Sequence, residues 1–124
     1  MSNGRSSSQK GARAERWIAE FLGTVLNMDI KRMLGAGRKE DIGDLHGLTG
    51  FTAQVANKPS NIGDALRYKP LACRIQQGHH GTPFGVTLLK LPPQPGGKPP
   101  EWRAVMTLEQ FVEIYKALAE AGAL

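Results

Sequence analysis

Apolar positions recur along this chain in two rhythms, and the switches between them divide it into eight elements. From Gln9 onward, Ala14, Trp17, Ile18, Phe21, Leu22 and Val25 fall at three- and four-residue intervals. That is one stripe of an amphipathic helix, which the pattern ends by Asn27. Arg13, Arg16 and Glu20 lie off the stripe, and Glu15 sits at its edge, facing solvent or a cleft beside a sheet. Asp29 to Leu34 alternates as a first strand, and Gly35-Ala36-Gly37 bends the chain into Arg38-Lys39. Ile42 to Leu48 and Phe51 to Asn57 are strand-forming runs on either side of Thr49-Gly50, which predicts a hairpin. A tight turn there sets Asp44 opposite Gln54 and His46 opposite Thr52. The two-residue period of a strand then puts Gln54, Ala56 and Lys58 on the face of Asp44.

Pro59 stops the second arm of the hairpin, because proline cannot donate to a ladder. Ser60 or Asn61 caps a helix through Ala65, Leu66, Leu71, Ala72 and Ile75, kinked or split at Pro70. Gln76 to Thr82 reads as a polar, solvated loop, since the adjacent His79 and His80 are poorly placed to chelate one ion. Phe84 to Leu91 is an apolar, central strand. A proline-rich surface loop leads to a last strand over residues 101–106. Thr107 and Gln110 form a capping box for a final helix that buries Leu108, Phe111, Val112, Tyr115 and Leu118. Residues 1–8 are expected to be a disordered basic arm, and 9–124 one α/β domain: a mixed central sheet of about five strands flanked by helices.

Charge sharpens this picture. Sixteen Lys and Arg against eleven Asp and Glu give +5 over 124 residues. The first 39 residues hold eight basic and three acidic side chains, so the basic face comes from there. Such a balance favours polyanions, nucleic acid first. The single Cys73, among apolar neighbours, excludes an intramolecular disulfide and reads as a core residue. No apolar run approaches the roughly 20 residues that span a bilayer, and the N-terminus lacks a signal-peptide core, so a soluble, cytoplasmic protein without membrane contact is expected.

Asp44 and Gln54 facing each other, with Lys58 beyond, form the skeleton of a metal-dependent phosphodiester-cleaving site. Four segments extend the likeness: Ala14-Glu15-Arg16 on the first helix, Arg32 to Gly37, Gly43-Asp44-Leu45-x-Gly47, and Met106-Thr107-Leu108 leading into the last helix. In this order they resemble the Holliday-junction resolvases of archaeal and phage type. Those belong to the PD-(D/E)XK, or restriction-endonuclease-like, nuclease superfamily. The resemblance runs from about Lys10 to Tyr115. It implies a restriction-endonuclease-like sheet and a metal-dependent endodeoxyribonuclease of DNA recombination, working in a bacterial or phage-infected cell. It also implies a homodimer, because a four-way junction needs two symmetric cuts.

By the same resemblance, Glu15, Asp44 and Gln54 would hold Mg2+ or Mn2+, with Ala56 at the place of the family's lysine. Gln54-Val55-Ala56 stands where the family has Glu-Val-Lys. Gln54 offers a carbonyl oxygen without charge. Losing the lysine, a preorganised cation at the transition state, costs on the order of 10²–10³ in rate. Lys58 is then either a migrated lysine or a contact to the DNA backbone. Phosphate contacts fall to Arg13, Arg16, Lys31, Arg32, Arg38 and Lys39. Two readings follow: a nuclease that resolves branched DNA with Glu15, Asp44, Gln54 and Lys58 as its catalytic set, or a catalytically degenerate module that binds such DNA. A structural or protein-interaction domain is the third.

Overall fold

The computed structural model describes residues 3–33 and 43–124, with side chains from residue 11 onward. The elements are α1 (Asn3–Leu26), β1 (Lys31–Arg32), β2 (Leu45–His46), β3 (Phe51–Asn57), α2 (Ile62–His80), β4 (Phe84–Lys90), β5 (Trp102–Val105) and α3 (Leu108–Glu120). The strands make one five-stranded mixed sheet in the order β1-β2-β3-β4-β5. β1, β2 and β3 pair antiparallel, β3 and β4 run parallel, and β5 returns antiparallel to β4. The architecture is thus α/β, a mixed central sheet flanked by three helices.

The hairpin forms where its turn residues place it. Phe51 N donates to the Leu48 carbonyl at 3.0 Å across Thr49-Gly50, and Gly50 takes φ +85°. Leu45 pairs with Ala53, so Asp44 faces Gln54 and His46 faces Thr52. Gly47 is the tightest point. Its φ is +102°, and a Cβ there would lie 2.1 Å from the Asp29 carbonyl oxygen, so only glycine fits.

Each side of the sheet is covered by a helix. Ile18 and Ala19 of α1 pack with Ile30, Leu45, Ala53 and Val86. Ala65 of α2 packs with Ala56 and Leu89. Cys73 is buried on α2, its thiol donating to the Val86 and Thr52 carbonyls at 3.5 and 3.6 Å. Burial pushes that thiol's pKa up, which suits an inert core residue.

Several elements differ from the pattern read in the sequence. α1 begins at Asn3, so residues 3–8 are helix and not a disordered arm. The serine run adds turns to a helix whose nucleus is already fixed by packing, and propagation is cheap. α2 is one helix across Pro70, capped by Asn61 Oδ1, which accepts from Asp64 N at 3.0 Å. Pro70 is one of its buried residues, so the lost donor is accompanied by burial of the ring. The helix continues through His79 and His80 to Gly81, which ends it in the left-handed region at φ +78°. The expected loop is therefore mostly helix, and His80 Nδ1 lies 2.9 Å from the buried Thr52 hydroxyl.

α3 departs furthest. Thr107 caps it through Gln110 N at 3.0 Å, but the Gln110 side chain does not reach back to close the box. Its Oε1 accepts from Arg74 Nη1 at 2.6 Å and from Gly85 N at 2.9 Å. Arg74 also pairs with Glu113 and Glu109. Drawing Gln110 and Glu113 onto α2 and β4 rolls the helix, so Leu108, Phe111, Val112, Tyr115 and Leu118 face outward.

Candidate functional site

Two groups of polar side chains lie beside α1, and they differ in how far the protein itself satisfies them. The first is the acidic edge of the hairpin. Gly43, at φ +98°, turns the chain as it enters β2. The Val55 N–H is then taken by the Asp44 side chain, whose Oδ2 accepts at 2.7 Å. Asp44 N donates to the Ala53 carbonyl, and its own carbonyl accepts from Met33 N, each at 2.7 Å. Asp44 therefore staples β3 to the chain beyond β1. Glu15, on α1, accepts from Arg32 Nε at 2.9 Å. Burial raises its carboxyl above the ordinary glutamate value against that hydrogen bond, and the nearby Asp44 charge raises it further.

Gln54 lies opposite Asp44, buried, with its Oε1 at 3.5 Å from the Thr87 hydroxyl. Ala56 is buried against Ala65 and Leu89. Lys58 does not share this face. β3 ends at Asn57, and Lys58 takes φ +45°, turning away at the strand's end. Four residues of strand put it about 13 Å beyond Gln54 along the chain. The following Pro59 disfavours the right-handed helical region for Lys58, which leaves few conformations for this corner.

Magnesium or manganese would need several oxygen ligands with negative charge in excess. Arg32 neutralises Glu15, the Val55 N–H holds one Asp44 oxygen, and Gln54 brings no charge. As arranged, these three residues do not fit the ion. Among the described residues no group of three His, Cys, Asp or Glu side chains is placed to hold a metal.

The second group is cationic. A cleft of about 440 Å³ opens at the carboxyl ends of the parallel strands β3 and β4, lined by Arg13, Arg16, Lys58 and Lys90 with Trp17, Asn57 and Glu20. Ligands of open α/β sheets bind outside such strand ends. Parallel pairing sets Asn57 beside Lys90, and Lys58 N donates to the Lys90 carbonyl at 2.9 Å, which brings the two lysines together. On the other flank of α1, a cleft of about 380 Å³ is lined by Arg16, Lys31 and Arg32 with Glu20 and Ile30. The clefts share Arg16 and Glu20. Arg13, Arg16, Lys31, Lys58 and Lys90 make no salt bridge with any described residue. Among the described residues, Glu20 is the one acid that lines the clefts beside them.

Four of the six expected phosphate contacts thus come together around α1: Arg13, Arg16, Lys31 and Arg32. Arg38 and Lys39 lie outside the described residues. Lys58 joins this group and not the acidic edge. Lys90 and Asn57 carried no motif. The signal for them was the parallel pairing of β3 with β4, which makes the last residues of both strands neighbours. Trp17, assigned to the core stripe, is half-exposed and stacks on Phe21 and Trp102 with ring centroids 5.4 and 5.8 Å apart.

Comparison with family models, curated proteins and solved structures returned no match for this chain. Among the described residues no helix is long and apolar enough to cross a membrane.

Proposed function

We propose that this protein is a DNA-binding module of nuclease-like architecture that holds branched DNA through phosphate contacts on both flanks of α1. One observation carries the reading: two clefts joined at Arg16, lined by six cations and one acid, five of the cations forming no salt bridge with any described residue. Uncompensated cations in a concave surface attract a polyanion and release its counterions. Branched DNA as the substrate rests on the resemblance to junction-resolving nucleases. The element order of a helix, three antiparallel strands, a crossover helix and a parallel strand supports that resemblance.

A second reading, a metal-dependent nuclease of resolvase type using Mg2+ or Mn2+, is favoured by the electrostatic proximity of Glu15 and Asp44. It requires Arg32 to leave Glu15 on DNA binding. Titrating labelled four-way and linear duplexes at two salt concentrations, with and without magnesium or manganese, separates the readings. Salt-sensitive binding of the junction without cleavage supports the module, and metal-dependent cutting supports the nuclease. Unchanged binding in Arg16→Ala would remove the clefts from both.

A homodimer belongs to the same proposal. The outward face of α3 is uncharged and close to self-complementary about Glu113, so an antiparallel partner helix sets Leu108 against Leu118 and Phe111 against Tyr115. Sedimentation of the wild type as a dimer and of Phe111→Glu as a monomer is the expected result.

A further inference from the structure

Three features of the larger cleft are left unused by phosphate contacts. Asn57, which lines it, has a buried Oδ1 with no hydrogen-bond partner among the described residues. A buried acceptor without a donor is costly, and removing it costs folding nothing. A phosphate diester carries no proton to give it, whereas a nucleobase edge presents amine and imide N–H groups. Trp17 gives the same cleft an aromatic wall, held in orientation by its stacking on Trp102. Lys58 keeps a positive φ at the rim, the kind of strained backbone that gathers at binding sites. The volume of about 440 Å³ falls within the roughly 300–1,000 Å³ of small-ligand sites.

We infer that this cleft takes one unpaired nucleotide of the bound DNA. Its flanking phosphates meet Arg13, Arg16, Lys58 and Lys90, its base edge donates to Asn57 Oδ1 as that side chain turns into the cleft, and its ring lies against Trp17. The inference rests on the DNA-binding reading and adds a preference that phosphate contacts cannot supply. Unpaired or poorly stacked bases are cheap to extrude, so the cleft favours frayed and branched ends over intact duplex.

The test compares a short labelled single strand with a blunt duplex of equal length, by fluorescence anisotropy at low salt, using the full chain. Asn57→Leu removes the orphan acceptor while keeping the branched shape and the number of side-chain heavy atoms. It is expected to weaken single-strand binding by about tenfold, leave duplex binding unchanged, and leave the thermal midpoint equal or higher. Trp17→Leu is expected to lower single-strand affinity by a similar factor. Should Trp17→Leu fold poorly, Asn57→Leu decides alone. Single-strand affinity unchanged in Asn57→Leu, or reduced equally for both probes, overturns the inference while leaving DNA binding in place. Loss of both probes in Lys58→Ala/Lys90→Ala is expected. A wild type that binds neither probe removes the DNA reading and the inference with it.

Discussion

The acidic edge of the hairpin and the cationic clefts around α1 are close neighbours with opposite accounts of their polar groups. At the edge, Asp44 takes the Val55 N–H and Glu15 takes Arg32, so each carboxylate already has work within the fold. In the clefts, Arg13, Arg16, Lys31, Lys58 and Lys90 form no salt bridge with any described residue. A polar group satisfied inside the protein is held for stability, and one left unsatisfied is available to something outside. Under the proposed function, Glu15 and Asp44 then serve the fold, and the flanking cations, Lys58 among them, are left for DNA.

Substitutions can break this contrast. The largest effect is expected from Lys58→Ala combined with Lys90→Ala. DNA affinity should fall on the order of tenfold per cation at low salt, and the slope of log affinity against log salt should flatten by about two. The urea midpoint should stay put. A midpoint that drops with affinity unchanged would reverse the assignment of roles. Asp44→Ala is the mirror experiment. Leaving the Val55 N–H without its charged acceptor should cost about 1–2 kcal/mol in denaturant unfolding, with DNA affinity unchanged or slightly higher.

Glu15 gives a smaller, pH-dependent effect. Its carboxyl holds a proton more tightly in the folded protein than in the unfolded chain. The folded state therefore binds more protons from the ordinary glutamate range up to the raised value, and the contribution of Glu15 to stability falls as pH rises through that window. Glu15→Gln should flatten the stability profile just above the ordinary glutamate range, and by less than about 1 kcal/mol because the carboxyl is only partly buried. A profile that steepens instead would show the Arg32 pair outweighing burial. Smallest is Lys58→Gly, which relieves the positive φ. It should raise stability by a few tenths of a kcal/mol and remove only one phosphate contact's share of the salt slope.

The hairpin was legible because turn chemistry fixes register: Thr49-Gly50 placed Asp44 across from Gln54 before any coordinates. α3 was not. Periodicity tells which residues share a face, and Leu108, Phe111, Tyr115 and Leu118 do share one, but it does not tell which face meets the core. That choice was made by the Gly85 N–H and Arg74, which needed Gln110 as their acceptor. Lys58 failed for a related reason. Strand alternation assumes a strand, and β3 stops one residue earlier. Lys90 was invisible to any local pattern, since it meets the cleft only through a parallel pairing across a whole crossover helix.

Gly47 shapes what a lineage of such chains can inherit. The ladder around Gln54 and Ala56 is made by backbone, so those buried positions accept other side chains that fit the core there. No such latitude exists where the hairpin presses on the Asp29 carbonyl, because every other amino acid brings a Cβ. Descendants of this fold are expected to vary elsewhere in the hairpin and to agree at this one position. A surviving, folded Gly47→Ala protein would show that the joint between helix and hairpin can move after all.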